Sequence, residues 1–177
     1  MTTSRNPGAR AVYLDYAATT PVDARVARVM RRFLTHSGVF GNPSSVTHAA
    51  GRRAAAAVAV ARAQVAGLIG AAPADIVFTS GATESDNLAV LGVARANADR
   101  GRHIVTSHSE HKAVLDPCRR LEKEGFAIAR VGADGGGRID PQAVAAALRA
   151  DTTLVSIMHV NNETGVIQDI AAIGALC

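Results

Sequence analysis

One stretch, Ile76-Val-Phe-Thr-Ser-Gly-Ala-Thr-Glu-Ser-Asp-Asn-Leu-Ala89, decides the fold of this chain. Its first four residues are β-branched or aromatic, which is typical of a buried strand over 76–79. The next four residues, 80–83, predict a sharp turn, and the residues after them predict a helix over 84–98. A helix that starts in a glycine turn after a strand directs free N–H groups and a positive dipole end at one place. The stretch therefore predicts either an anion site or an ordinary capped turn.

Small residues at this turn would let a ligand approach the backbone. Gly81 and Ala82 have little or no side chain, and Thr83 adds a hydroxyl donor at the expected helix start. The generic glycine motifs of dinucleotide-binding and P-loop proteins are both absent from the sequence. The anion site therefore depends on what the rest of the chain brings to the same place.

Strands and helices alternate through the rest of the chain. Apolar runs predict strands at 103–106, 126–131 and 153–159, and helical spacing predicts helices at 112–123, at 141–148 and from about Asp169 onwards. Earlier in the chain, helical spacing predicts one helix through Val26 to Leu34 and another over 48–69. The second helix has a predicted buried stripe of Val58, Val65, Leu68 and Ile69. The alternation is typical of an α/β fold with a mostly parallel sheet and helices on both faces.

Polar segments follow three of the predicted strands, at 80–83, 107–111 and 159–163. The carboxyl ends of parallel strands meet at one edge of a sheet, where ligands of such folds bind. We therefore expect these three segments to form a site. His111 is a candidate member, because a histidine at this edge faces two other polar clusters.

Composition favours a soluble globular domain and argues against several functions. The 177 residues are 48% hydrophobic, with no apolar run of membrane-spanning length, and suit one domain. The net charge is +4, but the basic residues are scattered and aromatic residues make up only 3%, so we expect no nucleic-acid interface. The first ten residues lack the hydrophobic stretch of a secretory signal, and we expect residues 1–11 to be a disordered tail.

The cysteines and histidines do not predict a disulfide framework or a metal site. There are two cysteines, Cys118 and Cys177, and no pair of histidines at helical metal-ligand spacing. Cys118 shares a predicted helical face with Val114 and Leu121, which favours a buried structural thiol.

Five segments resemble, in order and spacing, the amino-terminal half of the cysteine desulfurases. They are YLDYAATTP (13–21), FGNPSSVTH (40–48), IVFTSGATESDNLA (76–89), SEHKAVLDPC (109–118) and VSIMHVNNETGVIQDI (155–170). These enzymes use pyridoxal phosphate and have the aspartate-aminotransferase fold. The resemblance implies that residues 12–177 form the incomplete pyridoxal-phosphate-binding large domain of such an enzyme, truncated at the carboxy end.

The resemblance also implies roles for four residues. Ala82 and Thr83 would lie at the cofactor phosphate. His111 would stack on the pyridine ring and take part in proton transfer, and Asn162 would contact the phenolic-oxygen side of that ring. The resemblance implies that the family's Schiff-base lysine and catalytic cysteine lie beyond this chain. Lys112, Lys123 and Cys118 match other positions.

The function implied by the resemblance is that of a cysteine desulfurase fragment, inactive alone. Such enzymes convert L-cysteine to L-alanine and pass the sulfur, as a persulfide, to iron–sulfur scaffold or other sulfur-acceptor proteins. We expect a cytoplasmic homodimer for the full-length protein, with no metal, nucleic-acid or membrane partner. Two other interpretations stay open: a fragment of a related lyase, such as a selenocysteine lyase, and a non-catalytic interaction fragment.

Overall fold

The computed structural model describes residues 12–177, and the predicted tail at 1–11 lies outside this range. The chain divides into two compact units, of which the first ends at Phe78 and the second runs from Thr79 to Cys177. None of the helices in the described range is long and apolar enough to cross a membrane.

The first unit is helical. Helix α1 spans Ala24–Met30 and continues into a 3-10 turn, and helix α2 spans Ala49–Ile69. His48 caps α2, because its Nδ1 accepts a hydrogen bond from the Gly51 N–H at 3.1 Å. Gly70 ends the helix in the left-handed conformation, with φ of 69°, which glycine adopts without steric strain. The bounds of α2 follow the sequence prediction closely.

The predicted buried stripe of α2 is wrong. Its four apolar residues are exposed, Leu68 by 85%, whereas the buried residues of the helix are Gly51, Ala54 and Ala66. Val58 and Val65 are partly covered, at 36% and 37% exposed, whereas Leu68 and Ile69 lie largely open. Helical spacing identifies an apolar face, but burial depends on a neighbour that the spacing does not specify.

The predicted strand at 76–79 is also wrong. Ile76 has extended dihedral angles, but the segment pairs with no strand within residues 12–177. Arg62 of α2 holds the first part of this segment, since its guanidinium donates to the Ile76 carbonyl and lies 5.1 Å from the centre of the Phe78 ring. Extended backbone becomes a strand only when a neighbour completes the hydrogen-bond ladder.

The second unit contains a parallel sheet with three strands in the described residues. The strands are β1 (His103–Ser107), β2 (Ala127–Val131) and β3 (Thr152–Val155), in the order β2-β1-β3. Both pairings are parallel, as the strand–helix alternation predicts. Parallel strands of this kind need crossover connections, which the helices supply.

Helices pack on both faces of this sheet, which confirms the predicted α/β architecture. The helices are α3 (Ala82–Ala96), α4 (Lys112–Lys123), α5 (Pro141–Ala147) and α6 (Ile170–Gly174). Ile104 of β1 packs with residues of α3 and α4, whereas its neighbour Val105 packs with residues of α5 and α6. Successive strand residues point to opposite faces, so this division places one pair of helices on each side.

Two bounds in the second unit differ from the prediction in ways that affect the site. Strand β3 ends at Val155 and not at 159, and beyond it the Met158 N–H donates to the side chain of Glu110 instead of to a strand. Helix α3 begins at Ala82, two residues earlier than predicted, because Gly81 is its N-cap. Helix α4 has its predicted bounds.

Candidate functional site

The start of α3 offers free backbone donors. The first hydrogen bond of the helix runs from the Ser85 N–H to the Gly81 carbonyl at 3.1 Å. The N–H groups of Ala82 and Thr83 precede it, and neither donates to another atom within residues 12–177. Gly81 leaves open space where a side chain would stand. The backbone N–H groups of the first turn are therefore free to donate to an anion, beside the predicted hydroxyl donor of Thr83.

Side-chain hydrogen bonds stabilise the turn before α3. The Glu84 carboxylate accepts hydrogen bonds from the Ser80 N–H at 2.7 Å and from the Ser80 hydroxyl at 2.6 Å. The Thr79 and Ser85 hydroxyls lie 2.6 Å apart. The bonds from Ser80 lower the pKa of Glu84, so this carboxylate is charged at neutral pH. Because both Ser80 donors are bonded to Glu84, the free donors for an anion lie further along, in the first turn of α3.

His111 is the N-cap of α4. Its Nδ1 accepts a hydrogen bond from the Ala113 N–H at 3.1 Å, and its side chain is exposed. A nitrogen that accepts a hydrogen bond carries a lone pair, so the neutral ring holds its proton on Nε2. One edge of the imidazole therefore fixes the helix start, while Nε2 is available to a ligand.

Asn161 and Asn162 have different environments in the loop after β3. Asn162 is exposed, and its amide donates to the neighbouring Glu163 carboxylate at 3.2 Å. Asn161 organises the loop, since its Oδ1 accepts from the N–H groups of Glu163 and Thr164, each at 2.9 Å. Its amide also donates to the Ser109 carbonyl at 3.1 Å. The role of Asn161 could not be predicted from the sequence, because adjacent asparagines in a polar run carry no signal that separates them.

Hydrogen bonds join the three polar segments within the second unit. The Asn87 amide donates to the Thr83 carbonyl at 2.8 Å and to the Ala113 carbonyl at 3.5 Å, which ties the first turns of α3 and α4 together. Asn161 joins the loop after β3 to the residues that precede α4. The structure thus brings together the segments that carry Ala82, Thr83, His111 and Asn162.

Glu110 is a buried carboxylate in the middle of this arrangement. Only 8% of the residue is exposed, and one of its carboxylate oxygens, Oε1, accepts from the Met158 N–H at 2.6 Å and the Ser107 hydroxyl at 3.3 Å. Burial raises the pKa of this carboxyl, more than its hydrogen bonds lower it. The burial of Glu110 could not be predicted from the sequence, because a charged residue in a polar run is usually exposed and its partner Met158 lies 48 residues away.

Cys118 is a structural thiol, as predicted. It is fully buried in the cluster that includes Val114 and Leu121. Burial raises the pKa of its thiol, which disfavours the nucleophilic thiolate. Within the described residues no group of three or more His, Cys, Asp or Glu side chains could hold a metal ion.

The two cysteines are expected to react with a thiol reagent at very different rates. Cys177 is exposed and should be labelled at once by an aromatic disulfide reagent, whereas Cys118 should react only after denaturant is added. Absorbance of the released thiolate, with and without denaturant, measures both populations. A Cys177→Ser variant is the control, and rapid native labelling of that variant would contradict the burial of Cys118.

Comparison with known proteins identifies the family of this chain. The family described as aminotransferase class-V matches residues 12–177. The chain belongs to the class-V aminotransferase family. It is 60% identical over 166 residues to cysteine desulfurase IscS of Salmonella arizonae, an alignment that covers 94% of this chain and 41% of that protein. The chain thus spans about two fifths of the length of the curated relatives it matches.

Solved structures of class-V aminotransferase relatives confirm the fold as part of a larger domain. A NifS-like protein superimposes with a TM-score of 0.88 at 39% identity, over 93% of this chain and 44% of that one. A structure described as SspA in complex with cysteine gives a TM-score of 0.86 at 42% identity, over 93% of this chain and 46% of that one. The predicted architecture, a partial large domain of the aminotransferase type, is therefore confirmed.

Class-V aminotransferases and cysteine desulfurases depend on pyridoxal phosphate, and the residues present fit that cofactor. The phosphate requires N–H donors near a positive dipole end, which the first turn of α3 supplies at Ala82 and Thr83. The pyridine ring requires a flat neighbour and polar partners, which the exposed side chains of His111 and Asn162 could supply.

Proposed function

We propose that this chain is the amino-terminal part of a cysteine desulfurase that converts L-cysteine to L-alanine and delivers the sulfur as a persulfide. The observation that carries the proposal is the joining of three polar segments by Asn87, Asn161 and Glu110 in a chain 60% identical to IscS. Neither the joined segments nor the sequence identity is sufficient alone. One fold can have many functions, so the residues of the site must also suit the reaction.

In this proposal the N–H groups of Ala82 and Thr83 hold the cofactor phosphate. The His111 ring stacks on the pyridine ring, and its Nε2 proton is the one it can exchange with the substrate, since Nδ1 is engaged with Ala113. The Asn162 amide orients the phenolic-oxygen side of the ring. Pyridoxal phosphate, when bound, supplies an electron sink that weakens the bonds of an amino-acid substrate.

We propose further that the lysine which binds the cofactor and the cysteine which accepts the sulfur belong to the part of the relatives that this chain does not span. Neither Lys112, at the start of α4, nor the buried Cys118 suits these roles. The proposal extends to a cytoplasmic homodimer that gives sulfur to iron–sulfur scaffold or other acceptor proteins.

The test compares residues 1–177 with the protein that extends over the length of its relatives. The longer protein should release alanine and sulfide from L-cysteine when a thiol reductant is present, and residues 1–177 should release neither above free pyridoxal phosphate, because a nucleophile and a cofactor-binding lysine are both needed. Alanine and sulfide are measured separately. Release by residues 1–177 would contradict the assignment of roles, and no release by the longer protein would contradict the proposed function.

A further inference from the structure

Glu110 connects the carboxyl ends of two neighbouring strands. It lies three residues after β1, and its Oε1 accepts the Met158 N–H, three residues after β3, at 2.6 Å. The same oxygen accepts the hydroxyl of Ser107, the last residue of β1, at 3.3 Å. The carboxylate thus spans the gap that opens where the ladder between β1 and β3 ends.

A second link runs beside the first. The Asn161 amide donates to the carbonyl of Ser109, the residue before Glu110, at 3.1 Å. Two consecutive residues therefore tie the segment that ends in His111 to the loop that carries Asn162. The Ser107 hydroxyl has the Ser109 hydroxyl as another partner at 3.1 Å, whereas the half-buried Met158 N–H has only Glu110 among residues 12–177.

A buried carboxylate at position 110 is not explained by packing alone, because an apolar side chain would fill the same space. A buried carboxylate is unfavourable unless it is hydrogen-bonded. Here no Lys, Arg or His of residues 12–177 forms an ion pair with it, while Asp86 adds a like charge. A carboxylate does, however, give shorter and stronger hydrogen bonds than a neutral acceptor. The bond from Met158 to Glu110 lies beside His111. It can fix the separation between His111 and Asn162, which would both contact one flat ligand.

We propose that Glu110 is a positioning residue of the cofactor site: it holds the His111 segment and the Asn162 loop at the separation that the cofactor ring requires. The inference depends on the proposed function, because the ring is that of pyridoxal phosphate. Glu110 itself touches neither cofactor nor substrate. It acts through the backbone of the two segments that it joins.

The experiment uses the protein extended over the length of its relatives, loaded with pyridoxal phosphate. In Glu110→Ala the affinity for the cofactor should fall roughly tenfold, since the half-buried Met158 N–H loses its only acceptor among residues 12–177. The visible circular dichroism of the bound cofactor should change as well, because it reports the orientation of the ring in its pocket. Glu110→Gln keeps an Oε1 acceptor for Met158 and should restore the wild-type signal and affinity to within about twofold.

Val144→Ala is the matched control. Val144 is fully buried in α5, in the core cluster that contains neither Glu110 nor His111. The variant should lower the melting temperature through lost packing and leave the cofactor dichroism unchanged. If Glu110→Ala does not fold, Glu110→Asp, whose carboxylate is one methylene shorter, replaces it with the same expected direction.

Amide hydrogen exchange at Met158 tests whether Glu110 holds the loop, independently of whether the loop positions the cofactor. Glu110→Ala should accelerate this exchange at least tenfold relative to wild type, with or without the cofactor. Unchanged exchange, or wild-type dichroism and affinity in Glu110→Ala or Glu110→Asp, would overturn the positioning role. Failure of the wild type to bind pyridoxal phosphate would instead overturn the proposed function, and the exchange result would then still report whether Glu110 holds the loop.

Discussion

Replacing His111 with asparagine in the extended protein is expected to lower the turnover of L-cysteine on the order of a hundredfold or more without lowering the melting temperature. Asparagine is a good N-cap, so its side-chain oxygen can accept the Ala113 N–H that His111 now accepts at 3.1 Å. It has neither an aromatic face to stack on a pyridine ring nor an ionisable nitrogen to move a proton. The change therefore keeps the structural function of His111 and removes the proposed chemical one.

His111→Ala should lower both turnover and stability, because it also removes the cap, at a cost of about 1 kcal/mol. His48 is the matched control, since its Nδ1 also caps a helix, accepting from the Gly51 N–H of α2 at 3.1 Å. His48→Ala should lower the melting temperature and leave turnover per folded molecule unchanged. Near-normal turnover in His111→Asn, with loss of stability only in His111→Ala, would reduce His111 to a helix cap.

Local signals in the sequence were sufficient for much of the second unit. Helix α4 has its predicted bounds, Lys112–Lys123, because it is strongly amphipathic and ends before Gly125, whose φ is 87°. The burial of Cys118 was predicted because it lies on the same apolar face of α4 as Val114 and Leu121. The meeting of the segments after β1 and β3 at one edge followed from the parallel sheet, which the alternation of strands and helices implies. The segment 80–83 follows no strand within residues 12–177, and Asn87 links it to the start of α4 instead.

Features that depend on distant neighbours could not be predicted. The segment 76–79 has the composition of a strand but finds no partner within residues 12–177, and the apolar stripe of α2 is not buried within its unit. The same reason applies at the site. Residues 82 and 83 are predicted from the sequence of a single turn, whereas the bond from Met158 to Glu110 joins two polar runs whose spacing does not indicate it.

Replacing Ala82 with proline is expected to weaken the affinity for pyridoxal phosphate by roughly 10- to 100-fold, since a hydrogen bond to a charged group contributes about 1.5–3 kcal/mol. Ala82 is the first residue of α3, the position at which proline is best tolerated in a helix. The preceding Gly81 is extended, with ψ of −178°, as a residue before proline requires. The variant thus removes one N–H from the proposed phosphate site and leaves the helix in place.

Ala49→Pro provides the control for this variant, because Ala49 is the first residue of α2 and follows the extended His48. Both variants should keep the far-ultraviolet circular dichroism of the wild type, and only Ala82→Pro should raise the dissociation constant measured by titration with pyridoxal phosphate. The loss should be similar for inorganic phosphate used as a competitor, because the missing donor contacts the phosphate and not the ring. If Ala82→Pro binds the cofactor as tightly as Ala49→Pro does, the first turn of α3 is an ordinary capped helix start. The phosphate must then be bound by other donors.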